Sequence, residues 1–117
     1  MGVRDLLNEG ILFAKEGKNE EALSCFDQAL AINPECQYIW QTRGQILEQL
    51  GRGIEALECY NKAIALNPDN VVAWCLKGDV LICMGKLTKA LNCFERAVKI
   101  DPKREYAVST VEMLRKN

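Results

Sequence analysis

Residues 51–68 read GRGIEALECYNKAIALNP, and the same frame stands at 17–34 as GKNEEALSCFDQALAINP and at 85–102 as GKLTKALNCFERAVKIDP. The copies lie 34 residues apart, and so do Gly10, Gly44 and Gly78 ahead of them. Seven columns are identical in all three copies. They are the two glycines, Ala22/Ala56/Ala90, Leu23/Leu57/Leu91, Cys25/Cys59/Cys93, Ala29/Ala63/Ala97 and Pro34/Pro68/Pro102. A period of this length marks one supersecondary unit stacked on copies of itself. The natural units are residues 3–36, 37–70 and 71–104, with 105–117 left over.

Each unit reads as two helices. In the middle copy the first spans 37–50 and stops at Gly51, since glycine accepts the left-handed conformation that closes a helix. The second spans 53–66 and stops at Asn67-Pro68, because proline disfavours helical geometry in the residue before it. The turn between them is too short for anything but an antiparallel hairpin. Ala56, Leu57, Tyr60, Ala63, Ile64 and Leu66 form one apolar face at helical spacing. Glycine inside a helix costs about 1 kcal/mol relative to alanine. The recurrence of Gly10, Gly44 and Gly78 therefore predicts close helix approach, with Phe26, Tyr60 and Phe94 as the large partners filling the space.

The period and these columns resemble the tetratricopeptide repeat family over residues 3–104. Trp40 and Trp74 stand in the family's tryptophan column, with Leu6 in the first copy, and Phe13, Leu47 and Leu81 stand in the aromatic column of the first helix. Ala56, Tyr60, Ala63 and Pro68 match the second helix and its end. The leucine before the helical glycine is replaced by Glu9, Arg43 and Lys77, which are expected to reach solvent or pair along the stack. Asn19, Gly53 and Leu87 replace the aromatic early in the second helix. The resemblance implies an all-α, right-handed α-solenoid of seven helices in one domain, 1–117, closed by a solvating helix over 105–117. In that helix Tyr106, Ala107, Val108, Val111 and Leu114 are expected to cover the third repeat, with Glu112, Arg115, Lys116 and Asn117 toward solvent.

Composition narrows the function classes. The chain is 49% hydrophobic and 26% charged, enough to bury a core without disulfides or metals. Fifteen Lys and Arg against 16 Asp and Glu give a net charge of -1, which offers no push toward nucleic acid. The local basic cluster Lys99, Lys103 and Arg104 reads as a solvated helix end. No stretch reaches the roughly 18 apolar residues of a membrane span. The N-terminal residues show no signal-peptide pattern, so a cytoplasmic location is expected.

Six cysteines invite a disulfide reading, but three of them recur at the repeat interval. Equivalent residues in a helix stack lie about 8–10 Å apart, beyond the roughly 7 Å Cα separation that a disulfide tolerates. Cys25, Cys59 and Cys93 are therefore expected to be free thiols serving as small apolar residues. Cys75, Asp79 and Cys83 share a helix face, yet a half-buried stripe accounts for them better than a metal or redox site. There is no histidine, no glycine-rich phosphate loop and no carboxylate pair in an identifiable pocket, so neither catalysis nor a cofactor is expected. Cys36 and Cys83 are the residues to examine if thiol chemistry occurs.

One stripe of each first helix is needed for the core: Ile39, Trp40, Ile46, Leu47 and Leu50 in the second copy. The other, with Tyr38, Gln41, Thr42, Gln45 and Gln49, is free of that duty. Its equivalents are Arg4, Leu7, Asn8, Ile11 and Lys15, then Val72, Cys75, Leu76, Asp79, Ile82 and Cys83. The resemblance implies that this stripe lines a concave groove. Leu7, Ile11, Tyr38, Val72, Leu76 and Ile82 are apolar where a merely solvated face would be charged, and clustered exposed apolar residues mark contact sites. Gln41 and Gln45 add amides that can bond a peptide backbone. The partner-binding set is thus Leu7, Ile11, Tyr38, Gln41, Gln45, Val72, Cys75, Leu76, Asp79 and Ile82. One subtype of the family clamps a terminal carboxylate with lysines, asparagines and an arginine at positions that here hold Leu7, Ile11, Thr42, Val72 and Leu76. An acidic chaperone tail is therefore not the expected partner. The leading expectation is a protein-interaction module, a scaffold docking an apolar or amphipathic peptide or helix. The second is self-association as a homodimer.

Overall fold

The computed structural model describes residues 1–116. Seven helices follow one another: α1 (Val3–Lys15), α2 (Asn19–Ile32), α3 (Gln37–Gln49), α4 (Gly53–Leu66), α5 (Val71–Cys83), α6 (Leu87–Ile100) and α7 (Glu105–Arg115). Each first helix packs most extensively on the second helix that follows it, and each second helix then meets the first of the next pair. The result is an all-α solenoid measuring 48 × 25 × 20 Å with a radius of gyration of 14.8 Å. A globule of this length would have a radius near 13 Å, so the stack is elongated.

The recurring punctuation has a local cause at each joint. Gly17, Gly51 and Gly85 take φ of 78°, 75° and 76°, a region that other residues enter only at a cost. In the middle copy the Gly51 N–H donates to Glu48 O at 2.9 Å and the Arg52 N–H to Leu47 O at 2.8 Å, which satisfies the last carbonyls of α3. At the far end of each pair the residue before proline uses its side chain. Asn33, Asn67 and Asp101 Oδ1 accept the N–H two residues on, at 3.2, 3.1 and 3.2 Å. The prolines leave their carbonyls for the tryptophans: Trp40 Nε1 donates to Pro34 O at 2.9 Å and Trp74 Nε1 to Pro68 O at 2.8 Å. The tryptophan column thus ties each unit to the end of the one before it.

The packing columns behave as the period predicts. The alanines Ala22, Ala29, Ala56, Ala63, Ala90 and Ala97 and the rings of Phe26, Tyr60 and Phe94 are fully buried. A Cβ on Gly10, Gly44 or Gly78 would stand 2.7, 2.5 or 2.4 Å from those rings. One buried cluster runs from Leu6 through Ile39 and Tyr60 to Val80, and a second joins Cys75, Leu81 and Phe94 to Ala107, Val111 and Leu114 of α7. Leu57 packs against both.

Some expectations need correction. Leu66, the last residue of α4, is 40% exposed. Ile64, Trp40 and Leu50 are half-buried, the indole being held at the joint by its bond to Pro34. Glu9, Arg43 and Lys77 do not pair with one another. Arg43 Nε instead meets Asp27 of α2 at 2.7 Å, and Lys77 lies over the Trp74 ring at 5.6 Å. Tyr106 is 54% exposed and covers the third repeat only by its edge. Asn117, assigned to solvent from the sequence, lies outside the described residues. Among the described residues no helix is long and apolar enough to cross a membrane.

Candidate functional site

The stripe left over by the core of the first helices forms the candidate site. Tyr38 is 49% exposed, Val72 37%, and Gln45 is also exposed. Leu7, Ile11, Gln41, Leu76, Asp79 and Ile82 are half-buried. Leu7, Ile11 and Leu76 lean on the first core cluster and Ile82 on the second, so these four are partly structural.

Cys75 does not belong to this surface. It is only 6% exposed and sits in the cluster that α7 completes with Ala107 and Val111. The equivalent positions in the earlier repeats hold the longer Leu7 and Gln41. A short thiol stops below the helix surface and is covered.

Tyr38, Gln41 and Val72 come together in a cleft of about 470 Å³ between the starts of α3 and α5, with Arg104 at its edge. Asn70 organises the cleft. Its Nδ2 donates to Gln37 Oε1 at 2.9 Å and to Gln41 Oε1 at 3.0 Å, while its Oδ1 accepts the Ala73 N–H at 3.1 Å and caps α5. One side chain therefore closes a helix end and bridges two repeats.

Further along the same helices stand two acids. Glu48 accepts from the Tyr60 hydroxyl, and Asp79 accepts from the Tyr106 hydroxyl at 2.5 Å. Burial raises the Glu48 pKa above its ordinary value; the Tyr60 bond opposes this and the Asp79 charge adds to it. Burial raises Asp79 in the same way, against the Tyr106 bond. The bond to Asp79, aided by burial, pushes the Tyr106 phenol up to about 12, and Tyr60 is raised further, chiefly by burial. The Tyr106 ring also meets Phe94 edge-on at 5.8 Å, so this residue of the closing helix joins the buried ring of the third repeat to Asp79 on the candidate face.

Glu48, Asn70 and Tyr106 were not among the residues picked from the sequence. A signal existed for Glu48, whose column holds Ala14 and Ile82 in the other copies. No comparable signal existed for Asn70, which reads as turn residue and helix cap alone.

All six cysteines are free. Cys25, Cys59, Cys75 and Cys93 are buried, Cys36 is half-buried and Cys83 is exposed. Burial raises the pKa of each of the four buried thiols. Among the described residues no three Cys, Asp or Glu side chains converge as a metal-binding group.

A model of the tetratricopeptide repeat matches residues 10–74, more than half of the chain, and a second model of the same repeat matches residues 59–92. The chain belongs to the tetratricopeptide repeat family. This is a protein-interaction fold. Solved structures agree on the architecture. The first tetratricopeptide domain of Spaghetti (RPAP3), bound to the HSP90 peptide SRMEEVD, superposes with a TM-score of 0.90 at 23% identity, over 97% of this chain and 90% of that one. The OM64 tetratricopeptide domain of Arabidopsis gives 0.90 at 19% identity over 98% and 95%. MamA gives 0.90 at 21% identity over 97% and 67%. At these identities the likeness shows the fold alone. No curated protein matches significantly.

Proposed function

We propose that this tetratricopeptide domain docks an apolar or amphipathic peptide or helix of another protein in the concave groove of its first helices. The observation that carries the reading is the exposed pair Tyr38 and Val72, set beside the Asn70–Gln41 amide bridge in one cleft. Two exposed apolar side chains offer burial worth roughly 25 cal/mol per Å², and the amides offer backbone hydrogen bonds that set register. Spaghetti's domain holds a peptide on the same fold. The positions of a carboxylate clamp are Leu7, Ile11, Thr42, Val72 and Leu76 here, so the ligand differs in chemistry from an acidic tail.

The test is peptide selection from a display library against the wild-type domain, followed by affinity measurement on Tyr38→Ala/Val72→Asp. These sites are exposed, whereas aspartate at Leu76 or Ile82 would disturb core packing. Selected peptides should be apolar or amphipathic and should lose at least about tenfold in affinity, which corresponds to 1.4 kcal/mol, with an unchanged melt. Equal affinity in the variant would defeat the reading. So would a tight dimer by light scattering that masks Tyr38 and Val72.

A further inference from the structure

A second cleft lies away from the first-helix groove. It has a volume of about 680 Å³ and runs between the second helices α4 and α6, floored by α5. Leu57, Trp74, Leu81 and Cys93 make an apolar bed. Around it stand Lys77, Lys86, Lys89, Arg96 and Lys99, against the single acid Glu95. That acid is engaged elsewhere, 2.6 Å from Arg115 of α7. Among the described residues none of the five cations forms an ion pair.

The repeat supplies an internal control. One period earlier, the matching cleft holds Arg43 and Arg52 where this one holds Lys77 and Lys86. There the cations are neutralised: Arg43 by Asp27 at 2.7 Å, Arg52 by Glu55 at 2.7 Å and Glu20 at 3.9 Å. In the later cleft Asp27 is replaced by Asn61 and Glu55 by Lys89, while Ala65 gives way to Lys99. The same scaffold site has changed from internally paired to unpaired and cationic, on a chain whose net charge is -1.

We infer that this cleft is a second docking site, taking an acidic segment of a partner protein that seats a small apolar side chain between Leu57 and Leu81. Charge complementarity selects the partner's sign, and the apolar bed favours a peptide over a bare polyanion. Nucleic acid fits less well. The Trp74 ring is already faced by Lys77 at 5.6 Å and Arg96 at 5.5 Å, and its N–H is bonded to Pro68 O, so it offers no open platform for a stacked base.

The probe is a fluorescein-labelled octapeptide of glutamates and aspartates with one central leucine, read by polarisation. A peptide with lysine in place of each acid and a single-stranded oligonucleotide of equal charge serve as comparisons. Saturable binding of the acidic peptide is expected, falling several-fold as salt rises and the charges are screened. Lys89→Glu/Lys99→Ala, which restores the residues of the earlier cleft, should weaken it at least tenfold without changing the melt. Tyr38→Ala/Val72→Asp should leave it intact, since both residues line the other cleft and neither lines this one. No saturable binding, equal binding by Lys89→Glu/Lys99→Ala, or tighter binding of the oligonucleotide than of the peptide would each overturn the inference.

Discussion

The Tyr60 ring fills the volume that a side chain on Gly44 would need: a Cβ there would stand 2.5 Å from Cε1 of the ring. The ring cannot simply swing away, because its hydroxyl is bonded to Glu48 on the same helix as Gly44. Two helices of one repeat are thereby locked at close approach, and the steric part of this relationship, without the hydroxyl bond, recurs at Gly10–Phe26 and Gly78–Phe94.

Gly44→Ala should therefore destabilise the protein despite the better helix propensity of alanine. Overpacking costs about 1–3 kcal/mol and the propensity gain returns about 1 kcal/mol, leaving a net loss of up to about 2 kcal/mol. Gly51→Ala meets no atom within 4 Å but sits at a φ of 75°, so about 1–2 kcal/mol of stability should be lost there to backbone strain instead. Urea unfolding of both variants checks this; a stabilised Gly44→Ala protein would refute the packing account.

Removing residues 105–117 should be far more damaging. Ala107, Val111 and Leu114 complete the second core cluster, and each buried Val or Leu contributes about 1.5–3 kcal/mol. A domain has only about 5–15 kcal/mol in total. Light scattering and thermal melts should show aggregation or a large fall in Tm, and an unchanged monomeric melt would contradict the role given to α7.

The Glu48 carboxyl carries a pH prediction. Its folded pKa is raised by burial above the ordinary 4.5, so in that window the folded state holds more proton than the unfolded state. Its contribution to stability is fully present below the unfolded pKa and is lost as pH rises through the folded value. Glu48→Gln keeps an acceptor for Tyr60 and removes the titration. Denaturation curves across the window just above pH 4.5 should show a flatter pH dependence in the variant, which should be at least as stable as wild type at neutral pH.

Thiol titration of the folded protein should give two fast groups, Cys36 and Cys83, and four slow ones, Cys25, Cys59, Cys75 and Cys93. All six should react rapidly in denaturant. A fast Cys75, identified by mass spectrometry, would show that α7 does not cover it.

Much of this architecture was legible in the chain itself, and for a local reason. A glycine at positive φ, a proline ending a helix and a small residue facing an aromatic are constraints between near neighbours, so repetition at 34 residues displays them three times over. The seven helices, the buried alanines and the packing duty of Cys25, Cys59 and Cys93 all follow from that display. Side chains at the joints between repeats answered to distance instead. Cys75 looked like groove surface until α7 was seen to cover it. Asn70 caps α5 at Ala73 and also bridges back to Gln37 and Gln41, a link that only the tertiary structure makes. The cationic cleft draws on residues from 57 to 99 in three helices and a turn. No short window contains it, because a charge is neutralised by whatever lies across the interface and not by its neighbours in sequence.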